Sequence, residues 1–154
     1  MSASRPKGLY FEEFALDQEM ESPSHTVTEE DVIQFAELSG DHNPMHTDAE
    51  FARQTPFGQR IAHGLLGLSM ASGLAWGTGF IEGTVEAFTG LTWKFRAPVF
   101  LGDSIRVRVK VEKLRPMPSM EGGIVVFDAR LLNQHDKVVQ QGEWTMIIRG
   151  RPKQ

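Results

Sequence analysis

The sequence predicts an α+β protein in which one long central helix lies in the concave face of one curved antiparallel β-sheet. Two observations carry this. Four segments in the second half alternate apolar and polar residues with period two, the pattern of strands with one wet face. Upstream of them, the stretch from Ile61 to Ile81 contains no Asp, Glu, Lys or Arg. A helix that is apolar on nearly all sides is most simply one surrounded by protein, so the sheet has to wrap around it.

Length and composition set the frame. A chain of 154 residues has room for one domain, taken as residues 1–154, with a substantial core. The uncharged run is long enough to span a bilayer, but Gly64, Gly67, Gly73, Gly77 and Gly79 interrupt it, together with His63, Ser69 and Ser72. That mixture favours a buried helix over a membrane span. There is no cysteine, which excludes disulfides, thiolate metal sites and a cysteine nucleophile, and is compatible with a cytoplasmic location. A net charge of −4 offers no basic surface, so nucleic acid is not an expected partner. The opening MSASRPKGLYFEEF has basic residues but no apolar run behind them, so no secretory signal is expected.

The elements follow in order. Leu9, Tyr10, Phe11, Phe14 and Leu16 are expected anchors of an irregular first segment, and Ser24 to Val27 of a short strand. Thr28 and Asp31 form an Asp version of the capping box, with Val27 and Val32 placed as a hydrophobic staple. Val32, Phe35, Ala36 and Ser39 then follow helical spacing, and Gly40 suits the position past the last turn. Thr47 with Glu50 predicts a second capping box, opening a short helix that ends before Pro56. The uncharged helix is placed at Ala62–Trp76. Strands follow around Leu91–Arg96, Ile105–Glu112, Val125–Leu132 and Gly142–Arg149. Gln134–Lys137 is the expected hairpin tip, and Arg115–Gly123, with Pro116 and Pro118, a longer mobile connection.

The densest polar cluster is Gly40-Asp41-His42-Asn43-Pro44-Met45-His46, between two helices. Pro44 pushes Asn43 out of the helical region and makes a tight turn. A carboxylate and an imidazole five residues apart across such a turn can converge on one water, which suits acid–base work. Asp41 and Asn43 can equally make only Asx-turn bonds, which accounts for Asn43 but not for His46. His42 and His46 are four apart, yet Pro44 spoils the helical geometry a metal pair needs, and no metal is expected. His63-Gly64 opens the uncharged helix. Its first amides lack internal acceptors, and Gly64 has no side chain to keep an oxygen away, as an oxyanion-hole donor requires. The plainer account is that Gly64 and Gly67 let the helix press against the sheet. Ser72, eight residues after Gly64, faces roughly the same side, although a bond back to the Leu68 carbonyl is the commoner fate of such a hydroxyl. Arg53, Arg60, Lys94 and Arg96 are candidate contacts for a phosphate-bearing ligand.

These residues carry a resemblance to the MaoC-like dehydratase family, best known for (R)-specific enoyl-CoA hydratases. The family motif runs from an aromatic through Gly-Asp-X-Asn-Pro-aliphatic-His to a small residue. It is matched by Phe35 through Gly40-Asp41-His42-Asn43-Pro44-Met45-His46 to Ala52, with Met45 where Ile, Leu or Val is usual. The similarity extends to Tyr10–Phe14, Ile61–Gly64 and Phe95–Val99 with Gly102-Asp103. The resemblance implies a hot-dog fold and catalytic roles for Asp41 and His46. It implies a substrate-binding set of Gly64, Ser72 and Asn43, in which the Gly64 amide polarises a thioester carbonyl and Ser72 supports the site by a hydrogen bond. The implied reaction is reversible hydration of a trans-2-enoyl-CoA to the (R)-3-hydroxyacyl-CoA, with no cofactor, in a homodimer whose sheets join edge to edge. Two other readings share the fold: an acyl-CoA thioesterase, and a non-catalytic acyl-binding module.

Overall fold

The computed structural model describes residues 4–153. After a single 3-10 turn at Phe11–Glu13 come β1 (Glu19–Glu21), β2 (His25–Thr26) and α1 (Glu29–Ser39). Then follow α2 (Pro44–Thr47), α3 (Ala49–Arg53) and the central α4 (Gly64–Gly77). The long strands β3 (Val85–Phe95), β4 (Ser104–Met117), β5 (Gly122–Leu132) and β6 (Val138–Arg149) complete the chain.

One antiparallel sheet runs in the order β1-β4-β5-β6-β3, with β2 also paired to β4. Alternation decides which face is dry. Ile105, Val107, Val109 and Val111 on β4 are buried, as are Val125, Phe127, Ala129 and Leu131 on β5 and Trp144, Met146 and Ile148 on β6. Their partners in sequence point outward. The inner face packs on Leu66, Gly67, Ala71 and Ala75 of α4, and the small Gly67, Ala71 and Ala75 let the helix backbone lie close to the strands. Each large apolar side chain buried here contributes about 1.5–3 kcal/mol. Phe14, Phe80 and Phe127 meet edge to face beside the helix end. This is the hot-dog arrangement that the sequence implied.

Helix α1 begins and ends as its residues dictate. Thr28 Oγ1 accepts from the Asp31 amide at 3.1 Å, and Asp31 Oδ2 accepts from the Thr28 amide at 2.9 Å. Val27 and Val32 are both buried. Gly40 closes the helix at φ +81°, the left-handed region where a Cβ is costly.

Five expectations need correction. Thr47 does not cap the second short helix: it ends α2, and Asp48 Oδ1 caps α3 by accepting from the amides of Glu50 and Phe51. Arg115–Gly123 is no long loop. β4 continues through Arg115↔Ile124 and Pro116↔Gly123 to Met117↔Gly122, because a bulge at Glu112 re-aims the strand and keeps it paired. Leu16 is exposed and anchors nothing. Leu91 and Phe95 are about half exposed, because β3 is the last strand of the sheet and little among the described residues covers that stretch. The central helix is covered on one side only: Leu65 is 60% and Trp76 53% exposed. Among the described residues no helix is long and apolar enough to cross a membrane.

Candidate active site

Asp41 follows the Gly40 cap and is held by three bonds. Its amide donates to Ser39 Oγ at 3.1 Å, its Oδ1 accepts from the Asn43 amide at 3.1 Å, and its carbonyl accepts from His63 Nε2 at 2.9 Å. Asn43 in turn caps α2, with Oδ1 accepting from the Met45 amide at 3.4 Å. The Asx-turn reading of Asn43 therefore holds, and its side chain is occupied by the turn. Pro44 takes the first position of α2, where a missing N–H costs nothing.

That one turn of helix aims His46 inward, where it is only 7% exposed. His46 Nδ1 lies 2.7 Å from the Ile61 carbonyl oxygen, which can only accept, so Nδ1 carries the hydrogen and Nε2 keeps its lone pair in the neutral ring. Arg60 Nε donates to the His46 carbonyl at 2.7 Å, and its NH1 reaches Glu29 Oε1 at 2.8 Å. The Ile61 amide donates to the Met45 carbonyl at 3.3 Å. Residues 60–61 thus strap the α2 turn from the side.

His63 completes the cluster. The sequence marked it only as the start of the central helix, yet it is 3% exposed and its ring stacks on His46, centroids 4.0 Å apart with 28° between planes. Phe35 meets His63 edge-on at 4.9 Å. Burial, the largest influence, holds the His63 imidazole below the ordinary histidine range, against the opposing bond to the Asp41 carbonyl. Burial thus favours the neutral ring, with Nε2–H donated and Nδ1 buried without a hydrogen-bond partner among the described residues.

One potential ligand atom from each of Asp41, His46 and His63 lies within 4.8 Å of the others. The stacking makes this a poor metal site. An imidazole binds metal in its ring plane at about 2.0–2.1 Å, and two stacked rings with centroids 4.0 Å apart and 28° between planes meet in-plane too far from both for one ion to bind each. His42 is exposed and does not join the group.

A cavity of about 540 Å³ opens beside the cluster, lined by His46, Gly64, Leu65, Phe95, Arg96 and Gln140 among others. Gly64 is the first residue of α4 and its predecessor makes no side-chain cap, so the start of the helix presents bare amides. Ser72 is elsewhere. Its hydroxyl donates to the Ser69 carbonyl at 2.7 Å, not to Leu68, and it lines a separate cavity of about 310 Å³ with Trp76, Phe88 and Trp144. Of the candidate cations, Arg96 lines the first cavity, while Arg53 pairs with Glu50 on the surface.

Sequence reasoning missed two residues, His63 as a ring against His46 and Gln140. Gln140 sits on β6, buried in the first cavity's wall, with Nε2 donating to the Gly64 carbonyl at 3.1 Å. A glutamine in phase with the inward-facing Gly142, Trp144, Met146 and Ile148 of β6 was the available signal for the second.

This constellation has relatives. The family described as MaoC like domain matches residues 12–126. A 3-hydroxybutyryl-CoA dehydratase of Methylorubrum extorquens is 41% identical over 108 residues, covering 70% of this chain and 67% of that protein. An (R)-specific enoyl-CoA hydratase of Rhodospirillum rubrum is 35% identical over 142 residues, 92% of this chain and 93% of that one. Among solved structures, the unliganded R-hydratase PhaJ1 from Pseudomonas aeruginosa superposes with a TM-score of 0.81 at 32% identity, covering 94% of this chain and 88% of that chain. The chain belongs to the MaoC-like dehydratase family.

Proposed function

We propose that the protein is a hydro-lyase that reversibly hydrates a trans-2-enoyl-CoA to the (R)-3-hydroxyacyl-CoA, with residues 1–154 working as one domain. The observation that carries this is the clustering of Asp41, His46 and His63, one potential ligand atom of each within 4.8 Å of the others, beside a cavity lined by His46 and Gly64. The His46 lone pair at Nε2 and the Asp41 carboxylate are two acceptors for the two hydrogens of one water. The water oxygen adds to the β-carbon, one of its protons passes to the α-carbon, and the carbon–carbon double bond becomes single. Negative charge builds on the thioester oxygen in between, where the Gly64 N–H stabilises it without having to reorient. Asn43 contributes by holding the turn. No cofactor takes part, and coenzyme A enters only as part of the substrate. The lack of cysteine is compatible with work in the cytoplasm.

The same reading makes the active form a homodimer. Among the described residues β3 has one edge without a partner strand, flanked by exposed Phe88, Leu91 and Phe95. The His46–Gly64 cavity lies at the Phe95 end of β3 and the Ser72 cavity at its Val85–Phe88 end. Antiparallel pairing of two β3 edges around their midpoints brings one chain's first cavity beside the other's second. Ser72 then supports the site across the interface.

The thioesterase reading is disfavoured because α4 carries no carboxylate to activate water at the carbonyl carbon. One assay decides. Crotonyl-CoA is followed for loss of enoyl absorbance and release of thiol in parallel, and the product is tested with an (S)-specific 3-hydroxyacyl-CoA dehydrogenase. Loss of absorbance with neither thiol nor dehydrogenase signal is expected. Thiol release at the same rate, or a strong dehydrogenase signal, overturns the assignment.

A further inference from the structure

Gln140 is a buried polar residue that the hydration chemistry above leaves without a task. It is 2% exposed and stands on β6 among apolar neighbours. Its amide bridges two elements. Trp93 Nε1 donates to Gln140 Oε1 at 3.0 Å, and Gln140 Nε2 donates to the carbonyl of Gly64 at 3.1 Å. The direction of this chain is fixed by chemistry. An indole N–H can only donate, so it must face the amide oxygen, which turns the NH2 group toward the helix. Trp93 is itself held by stacking on Trp144, with ring centroids 5.8 Å apart.

The helix has been shaped to receive this contact. A Cβ placed at Gly67 would collide with Gln140 Nε2, so the absence of a side chain there opens the way for the amide. Gly67 thus answers to Gln140 as well as to close helix–sheet packing. The start of α4 has no side-chain cap of its own. Gln140 is the side chain that ties its first residue to the sheet.

We propose that Gln140 is a positioning residue: through the Trp93–Gln140–Gly64 chain it sets the first turn of α4 so that the Gly64 N–H meets the thioester oxygen. This rests on the hydration reading given above. An amide that must lie within about 3.1 Å of a developing oxyanion tolerates little drift. Without Gln140 the first turn loses its side-chain tie to β6, and only the residue before it, His63, stays bonded, to the Asp41 carbonyl. The ground-state thioester, which carries little charge on its oxygen, is bound almost as before.

The test compares Gln140→Met, which keeps volume and removes both bonds, with Gln140→Glu, which keeps the acceptor for Trp93. Expected in Gln140→Met is a fall in kcat for crotonyl-CoA of about 10–100-fold, the scale of small misplacements at a reacting centre. The Kd for saturated butyryl-CoA should change by less than about twofold, since it does not draw on transition-state contacts. Gln140→Glu should be equally impaired at pH 8 and recover relative to wild type on acidification, because a protonated carboxyl can again donate to Gly64. Gly67→Ala, which displaces the amide, should show the same split between kcat and binding. If Gln140→Met does not fold, Gly67→Ala and Trp93→Phe decide on the same criterion. Variants with wild-type kcat per folded molecule overturn the proposal while leaving hydration intact. A wild-type protein that does not hydrate crotonyl-CoA overturns both.

Discussion

The rings of His46 and His63 lie face to face at 4.0 Å, although the two residues belong to different elements. Each donates one ring N–H to a backbone carbonyl, His46 to Ile61 and His63 to Asp41. The pair therefore locks the turn carrying Asp41 to the segment that opens α4. Its burial also makes protonation of His63 unfavourable.

That has a consequence for stability. Burial depresses the His63 pKa below its ordinary 6.5 in the folded protein. As pH falls past 6.5 the unfolded chain takes up a proton that the folded site refuses. Stability is then lost with acidification, and the loss levels off only below the folded value. In His63→Gln the folding free energy should depend less steeply on pH between 7.5 and 5.5 than in wild type, as measured by urea unfolding. Equal slopes would mean that His63 titrates normally.

Asp41→Asn and His46→Gln should each keep the fold and lose about 10²–10⁴-fold in kcat, the scale of a positioned acid or base. The reason is that Asp41 and His46 cluster beside the cavity that His46 and Gly64 line. Steady-state rates with crotonyl-CoA on proteins of verified thermal midpoint are the check. Near-normal turnover in either variant removes that residue from the mechanism.

Gly64→Ala separates the helix-start amide from simple packing. A Cβ there would sit 2.7 Å from Phe95 Cε1, but Phe95 is 54% exposed and its ring can swing aside. The fold should therefore survive. Crowding of the N–H should cost up to about 10²–10³-fold in kcat, the effect of losing one oxyanion donor. A destabilised but fully active variant would assign Gly64 to packing alone.

Arg60 and Glu29 should differ sharply, although they share an ion pair. The Arg60 side chain is 12% exposed and satisfies the His46 carbonyl, whereas Glu29 is 65% exposed. Glu29→Gln should change folding stability by about 0–1 kcal/mol, as surface pairs do. Arg60→Met leaves a buried acceptor unpaired and should cost about 1–3 kcal/mol. Denaturant midpoints of the two variants are the measurement.

Much of this was legible in the sequence where neighbours along the chain decide the outcome. Thr28 and Asp31 are three apart and cap one another. The alternation of β4, β5 and β6 names their buried residues, and the Asn43-Pro44 turn makes the approach of Asp41 and His46 readable. Contacts across the fold left weaker marks. His63 meets the Asp41 carbonyl across 22 positions and Gln140 meets Gly64 across 76. Ser72 misled because helical spacing reports the side a residue faces but not its height. Eight residues climb about 12 Å along the axis, into a different cavity. Alternation likewise assigns Leu91 and Phe95 to one face of β3 without saying whether anything in the chain covers it.

The strand order also dictates what happens while the chain is being made. β3 precedes β4 in sequence, yet its only partner among the described residues is β6, the last strand. The apolar α4 and the aromatic β3 leave the ribosome before the strands that shelter them exist. β4 and β5 can pair as soon as both have emerged, but β3 waits until residues 138–149 are free. A nascent chain halted before Val138 therefore presents Phe88, Trp93 and Phe95 on an unpaired strand. Premature termination in the final strand should yield an insoluble product, and co-translational chaperones should engage this polypeptide most strongly in the interval between the emergence of β3 and that of β6.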